Sequence, residues 1–263
     1  MLRPKFVQPR GVLHKPDDTG GFEHARYWPS DDLAPFVEHF WTAGWNLDTP
    51  RRRETLPHPS VFMLVEAGRA EVAGPTTKRF TREFIGAGRV FAAKFKPGGF
   101  RPFTRLPVSA FAQRAIALED LFGERARGFA ARVFSARDHA QAFMLFEDFL
   151  RGCEPVADAT VERVAAIVRR IAQDRDIRRI EQVATESGIG VRSLQRLFRE
   201  YVGVSPKWVI QRYRLHELVE RLNGASKIDW AATALDLGYA DQAHLIRDFR
   251  RLVGRTPGAY RAD

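Results

Sequence analysis

One pattern of residues occurs twice in the C-terminal part of the chain, and it constrains the fold more than any other feature. The first copy spans 180–206 and the second spans 230–257. Each contains an apolar segment that includes an alanine, a glycine four residues after that alanine, a second apolar segment that ends in Phe-Arg, and a final Gly-x-Ser/Thr-Pro. The offset between the copies is 50 residues at their start and 51 at their end. Helix, glycine-containing turn and helix is the pattern of a helix-turn-helix unit, so the sequence predicts two such units in tandem.

The chain is basic, and its basic residues cluster in the second half of each repeat. Lys and Arg number 42 against 32 Asp and Glu, a net charge of +10 with a pI near 10.2. Such a charge favours polyanions, with nucleic acid first and an acidic membrane surface second. A tandem pair of helix-turn-helix units in a basic chain indicates DNA. The clustered cations between residues 188 and 214 are Arg192, Arg196, Arg199, Lys207, Arg212 and Arg214, and those between residues 242 and 261 are Arg247, Arg250, Arg251, Arg255 and Arg261.

The second helix of the first unit, predicted over about 191–201, has an apolar face and an opposite cationic face. Leu194, Leu197 and Phe198 recur at helical spacing and predict the core face. An arginine can bind the edge of guanine and a glutamine the edge of adenine in the major groove. Residues in the first two turns of such a helix reach bases most easily. The sequence therefore predicts base contacts from Arg192, Gln195 and Arg196, and a phosphate contact from Arg199.

The second unit predicts a corresponding helix over about 241–253. Its core face contains Leu245, Ile246, Phe249 and Leu252. Gln242 and Arg247 can hydrogen-bond to bases, and Ala243 is small enough to meet a thymine methyl group. Asp248 is expected near the outer face, where a carboxylate would oppose phosphates. The predicted DNA-binding set of this helix is Gln242, Ala243, His244, Arg247 and Arg251.

A longer helix is predicted between the two units. Pro206 suits a first helical position and Ser205 suits the cap before it, with the helix running to about Leu222. About 17 residues at 1.5 Å each span ~25 Å. Successive major-groove segments on one face of DNA lie ~34 Å apart, so a rigid spacer of this length would require bent DNA.

The residues from about 160 to 261 resemble the AraC/XylS family of bacterial transcription regulators. The segment from Asp241 to Arg261, which ends in Pro-x-x-Tyr-Arg, carries the resemblance most specifically. The resemblance implies two helix-turn-helix subdomains joined by a linker helix. It also implies a partner domain that is often a cupin-like β-barrel, which senses a small molecule and dimerises through helices. It places DNA contacts at Arg192, Gln195, Arg196, Gln242, Ala243 and Arg247.

The N-terminal half has a different texture, with short apolar runs separated by Pro and Gly. Runs at 36–41, 61–65 and 89–95 predict strands. The fold class expected is therefore α+β with two domains. It comprises a small cupin-like β-barrel or sandwich over 1–110 with helices over 111–150, a linker over 151–159, and an all-α DNA-binding domain over 160–263.

Several candidate sites lie in the predicted sensor domain, residues 1–150. Trp41, Trp45 and Phe62 with Lys94 or Arg101 could form an aromatic pocket with a cationic anchor for an acidic or aromatic effector; core packing with solvated charge is the alternative. Glu38, His39 and His58 are candidate metal ligands, but the chain contains no His-x-His, and neither a metal nor another cofactor is expected.

The single cysteine, Cys153, excludes a disulfide within the chain and is expected to be inert. No convincing set of catalytic residues is present, so an enzyme is not expected.

Three functions remain open from the residues. The first is an effector-responsive DNA-binding regulator. The second is an enzyme, such as a DNA-repair protein, fused to a DNA-binding module. The third is a DNA-binding protein whose N-terminal domain only dimerises. Residues 1–20 lack the apolar segment of a signal peptide, which favours the cytoplasm. Double-stranded DNA, a small effector and a second copy of the chain are the expected partners, with RNA polymerase a further candidate and no membrane.

Overall fold

The N-terminal half is built on one antiparallel sheet. The structure, a computed structural model, describes Leu13 and residues 20–224 and 228–262. The prediction about residues 1–20 therefore lies almost wholly outside the described residues. Six strands pair in the order β1-β2-β5-β3-β4-β6, and within the described residues the sheet is not closed into a barrel. The strands are β1 (Phe22–Tyr27), β2 (Val37–Thr55), β3 (Phe62–Glu66), β4 (Arg69–Ala73), β5 (Phe80–Phe95) and β6 (Ala115–Ala117).

Strands β2 and β5 are much longer than the apolar runs that predicted them. Their outer ends pair with each other from Arg51 to Thr55 on β2 and from Phe80 to Phe84 on β5. Pro50 falls in a register shift between Leu47 and Arg51, where a missing N–H breaks no ladder hydrogen bond. This two-stranded ribbon, residues 51–55 and 80–84, is largely polar, so it lacks the alternating apolar residues that predict a strand.

Three helices pack on the sheet and enclose the first core. Phe143 on α3 stacks on Phe40 of β2 with ring centroids 5.4 Å apart, and meets Phe91 of β5 at 5.8 Å. Phe100 and Phe103, after the Pro97-Gly98-Gly99 turn, are buried against Phe95. That turn leads into a short 3-10 helix. The helices are α1 (Leu118–Phe122), α2 (Phe129–Phe134) and α3 (His139–Gly152).

The C-terminal half is helical, with seven helices in its described residues. The side chain of Asp158 caps α4 by accepting from the N–H of Thr160, and the hydroxyl of Ser205 accepts from the N–H of Trp208 at the start of α7. One core surrounds Leu194 and Phe198, and another surrounds Leu245 and Phe249. The helices are α4 (Ala159–Gln173), α5 (Ile180–Glu186), α6 (Val191–Tyr201), α7 (Pro206–Gly224), α8 (Trp230–Asp236), α9 (Gln242–Val253) and α10 (Pro257–Ala262).

The two halves touch through polar side chains as well as apolar ones. Arg101 donates to Glu200 on α6 at 2.7 Å, and Arg79 donates to the carbonyl of Val253 at 2.5 Å. Leu13 and Leu56 belong to the core that α9 shares with α7. No helix among the described residues is both long and apolar enough to cross a membrane.

Histidines in the sheet should make folding stability depend on pH. Burial, followed by the charge of Arg26, lowers the pKa of His24 from 6.5 to about 4. Between those values the unfolded chain binds a proton at His24 that the folded chain does not, so protonation of this residue costs no stability above pH 6.5 and an increasing amount as pH drops towards 4. We expect His24→Gln to remove about 1–2 kcal/mol of this loss, allowing for partial solvent screening. Urea unfolding of both proteins at pH 7 and 4.5 measures it. An unchanged difference between the two pH values would contradict this account.

Candidate nucleic-acid interface

Helix α6 presents the cationic face that its sequence predicts. Leu194 and Phe198 are fully buried and Leu197 is half-buried. The four polar residues on the other side are exposed, and within the described chain none of them makes an internal hydrogen bond or ion pair. Their side chains are therefore available to an outside partner. They are Arg192, Gln195, Arg196 and Arg199.

Helix α9 presents a less cationic face. Asp241 caps it by accepting from the N–H of His244 at 2.7 Å, and the first turn is exposed. His244 itself is partly covered, because its ring lies edge-on to Tyr239 with centroids 5.1 Å apart. The exposed residues of this helix are Gln242, Ala243, Arg247, Arg250 and Arg251.

Asp248 does not lie on the outer face, in contrast to the expectation from sequence. It is 8% exposed and accepts from Gln211 of α7 at 3.4 Å. Its other oxygen lies 3.1 Å from a guanidinium nitrogen of Arg251. The carboxylate is therefore turned towards the domain interior, where it holds Arg251 and links α9 to α7.

Two of the basic residues that were counted in the first cluster are internal. Arg212 is 2% exposed and donates to the carbonyl of Pro57 at 2.7 Å, so it joins α7 to the N-terminal half. Arg214 is 5% exposed and donates to the carbonyls of Ile177 and Asp174. Burial lowers the pKa of both guanidinium groups. The cationic surface of the first unit consequently rests on α6 and Lys207.

Both turns contain a glycine at the same position, and in both units the backbone conformation there requires it. Gly188 and Gly238 have φ of +66° and +77°, a conformation that other residues rarely adopt. At Gly238 a Cβ would also lie 2.6 Å from the Cδ of Arg178, whereas at Gly188 the space is open. The second turn therefore needs glycine for conformation and for the passage of an arginine from the first unit.

The five effector-binding candidates do not form one pocket. Trp41 stacks on His24, and half-buried Phe62 pairs across the sheet with Lys94. Lys94 donates to Glu38 at 2.9 Å. Arg101 makes the contact to Glu200 described above. Only Trp45 lines the cavity of about 720 Å³ in this half.

The candidate metal ligands are also dispersed. His39 lies 3.5 Å from Glu38, whereas His58 lies beside Arg212 at 3.2 Å. Burial alone would raise the pKa of Glu38, but the hydrogen bond from His39 and the charge of Lys94 outweigh it and lower the pKa to about 2. Within the described residues, no three His, Cys, Asp or Glu side chains are grouped to hold a metal ion.

Two sequence families match the chain, one in each half. Residues 25–117 match a family described as a domain of unknown function (DUF6597), and residues 183–263 match one described as a helix-turn-helix domain. The virulence regulon transcriptional activator VirF of Yersinia enterocolitica is 30% identical over 84 residues, which are 32% of this chain and 30% of VirF. The chain thus matches less than a third of the length of that relative.

Solved structures resemble the chain in part or over most of its length. The DNA-binding domain of AdpA, solved in complex with a target DNA, is 26% identical over 40% of this chain and 92% of that domain, with a TM-score of 0.32. ToxT from Vibrio cholerae is 12% identical over 92% of this chain and 98% of ToxT, with a TM-score of 0.40.

The match to the helix-turn-helix family begins within α5 and contains α6, the linker helix α7, the second unit and the terminal Pro-x-x-Tyr-Arg. The C-terminal part of the chain therefore contains a helix-turn-helix domain, and it is similar in sequence to transcriptional regulators such as VirF.

Proposed function

We propose that this protein is a sequence-specific regulator of transcription that binds two successive major-groove segments of double-stranded DNA with α6 and α9. The observation that carries the proposal is the exposed, internally unpaired set of Arg192, Gln195, Arg196 and Arg199 on α6. A free guanidinium on a helix of groove width can bind guanine or phosphate without first breaking an internal bond. The protein would act in the cytoplasm on its own operator DNA.

The residues on the two helices have different proposed roles. Arg192, Gln195 and Arg196 in the first turns of α6 contact base edges, and Arg199 binds phosphate. On α9, Gln242 and Arg247 contact bases and Ala243 meets a thymine methyl group. His244 and Arg251 lie nearer the backbone, and the carboxylate of Asp248 already holds Arg251. The first helix would therefore contribute more affinity, and the second would add selectivity.

The linker helix supports a bent complex. Helix α7 has 19 residues and is therefore about 28 Å long. This is shorter than the ~34 Å between successive groove segments on one face of straight DNA. Bending the DNA towards the protein would close the difference at a cost of a few kcal/mol.

Selection of a preferred sequence from random duplex DNA tests the proposal. We expect a site with two short base segments about one helical turn apart, footprinted on both, and an affinity that falls steeply with salt. Selection of no sequence, or equal affinity for any duplex, would refute it.

Residues 1–150 would form the sensor, 151–159 the linker and 160–263 the DNA-binding domain. A homodimer through the N-terminal domain and a contact with RNA polymerase belong to the same proposal.

The effector would occupy the cavity of about 720 Å³, which is of the size that small ligands use. Phe91 and Phe134 meet edge to face at 5.8 Å in its wall. The cations Arg89 and Arg137 also line it, and the carboxylate of Asp138 is engaged as the cap of α3. Aromatic walls with two cations against one carboxylate favour a small planar anion.

Gly88 allows the wall of this cavity to form. Substitution of the neighbouring Arg89 tests whether the cavity binds an anion. A Cβ at Gly88 would lie 2.2 Å from the ring of Trp45, so glycine is needed for that indole to pack there. We expect benzoate or phenylacetate to bind in calorimetry and the matching amides to bind at least 10-fold more weakly, because they lack the charge for Arg89. Arg89→Ala should remove the difference, and Arg105→Ala, at an exposed arginine outside the cavity, should retain it. Equal binding of acids and amides would contradict the assignment.

A further inference from the structure

A group of five charged residues connects the two helix-turn-helix units directly. We call it the inter-unit network, and it consists of Arg175, Arg178, Glu217, Arg221 and Asp236. Arg178, in the segment before α5, donates to the carbonyls of Leu235 and Asp236 at 3.2 and 2.9 Å. These carbonyls end α8. That of Leu235 also accepts from the N–H of Gly238 at 3.0 Å, so the guanidinium adds a second donor there, supplies one to Asp236 and complements the helix dipole.

Helix α7 contributes the middle of the network. Arg221 lies 2.5 Å from the carboxylate of Asp236 and 2.7 Å from that of Glu217. Arg175 of the first unit lies 3.1 Å from the same Glu217 oxygen. The hydrogen bond from Arg221 lowers the pKa of Asp236 below its usual value. The first unit, the linker helix and the second unit therefore meet in one connected set of ion pairs.

The side chain of Arg178 packs closely against the turn of the second unit at Gly238. The arginine stem lies where a Cβ of residue 238 would stand, 2.6 Å from its Cδ. The contact is thus a packed one, with the aliphatic part of Arg178 against the turn and its guanidinium on the end of α8. A surface ion pair alone would leave both side chains free to separate.

Each unit also packs on its own end of α7. Val209 and Ile210 belong to the core of the first unit, whereas Leu218 and Leu222 belong to the core of the second. The helix by itself would hold the units at its two ends and leave their relative rotation to the packing at each end. Arg178 adds a second connection that bypasses the helix, and two bodies joined at two places resist pivoting.

We propose that the inter-unit network sets the separation and rotation of the two recognition helices before DNA binds, and thereby determines which spacing of base segments the protein accepts. Arg178 is the positioning residue in this proposal, because it alone of the five bonds directly to the backbone of the other unit. The proposal rests on the function proposed above for α6 and α9. It predicts that the protein does not tolerate a changed spacing, since one inserted base pair rotates the second segment by about 35° and shifts it by ~3.4 Å.

Distance measurement on the free protein tests the first half of the proposal without any DNA. Spin labels at exposed Ser193 and Ala243, with Cys153 replaced by serine, report the distance between α6 and α9 by pulsed electron resonance. We expect one narrow distribution, which Arg178→Ala broadens at least twofold. Arg178→Lys, which can still reach one carbonyl, should give an intermediate width. A distribution that stays equally narrow in Arg178→Ala would overturn the proposal.

DNA binding by the full chain tests the second half. On the site selected by the unmodified protein, one base pair inserted between the two segments should weaken binding at least 30-fold. Arg178→Ala should bind the original site about 3–10-fold more weakly and lose less than about 5-fold on insertion. Arg169→Ala, at an exposed arginine of α4, is the charge-matched control and should keep the full penalty.

The outcomes of the binding experiment separate the two proposals. A folded Arg178→Ala protein that keeps the unmodified spacing penalty would overturn the role of the network and leave DNA recognition standing. Selection of no site, or of a site with one segment, would overturn both. In that case the distance measurement still reports whether Arg178 holds the two units in place.

Discussion

Replacing Arg196 with alanine is expected to lower the affinity for the selected DNA site by about 10- to 100-fold. Arg196 is exposed in the middle of α6 and has no internal partner within the described chain. A bidentate contact between an arginine and a guanine contributes about 1–3 kcal/mol of discrimination, all of which alanine would lose. Fluorescence anisotropy with the selected duplex and with a scrambled duplex measures the effect. The loss should be concentrated on the selected duplex.

The control for Arg196 removes the same charge elsewhere. Arg105→Ala changes an exposed arginine of the N-terminal half and should weaken binding to both duplexes only slightly. If Arg196→Ala weakens both duplexes equally, Arg196 binds phosphate rather than a base. If it changes neither, the proposed orientation of α6 is wrong. The substitution leaves the buried face of the helix intact, so the circular dichroism spectrum should not change.

Phe198→Ala is expected to destabilise the DNA-binding domain by about 3–5 kcal/mol, the usual cost of emptying a phenylalanine site in a core. Phe198 is fully buried among the residues that join α4, α6 and α7. A loss of this size should lower the melting temperature by roughly 6–20 °C in calorimetry or thermal denaturation followed by circular dichroism.

The matched control for this substitution is Phe80→Ala. Phe80 is 51% exposed on β5, so the same change of side chain removes little buried area there. It should lower the melting temperature by no more than a few degrees. Equal effects of the two substitutions would show that Phe198 is not the centre of a packed core.

The recognition helices were predictable from sequence because their apolar and polar faces repeat at helical spacing. Helix α6 has the predicted bounds, 191–201, and α9 begins one residue after the predicted start because Asp241 is its cap. These patterns are local, so they give the same helices wherever the apolar face can be buried against a core. The exposure of the residues on their outer faces follows from the same pattern.

The burial and the partners of individual charged side chains could not be predicted in this way, because they depend on contacts between residues that are distant in sequence. Arg212 looks like any exposed arginine of a basic cluster, yet its partner is the carbonyl of Pro57, 155 positions earlier. Asp248 likewise faces α7 rather than solvent. The inter-unit network has the same origin, since Arg178 and Leu235 are 57 residues apart. Such long-range contacts leave no periodic pattern in the sequence.

The long ribbon of β2 and β5 shows the corresponding limit for strands. Residues 51–55 and 80–84 stabilise each other by backbone pairing, and Arg82 lies over the ring of Phe84 on the same strand at 4.7 Å. They have little of the apolar alternation by which a strand is recognised. The apolar runs at 36–41 and 89–95 therefore revealed only the buried ends of the two strands.

The participation of Leu13 and Leu56 in the second helix-turn-helix core has a consequence for how this protein can be divided. Both leucines are almost completely buried against residues such as Leu218 and Phe249. A fragment cut at the linker would expose that apolar surface to water and lose the free energy of burying two leucines. We therefore expect the isolated DNA-binding domain to be less stable than the same residues in the full chain, and a foreign sensor joined to it would leave this apolar surface uncovered.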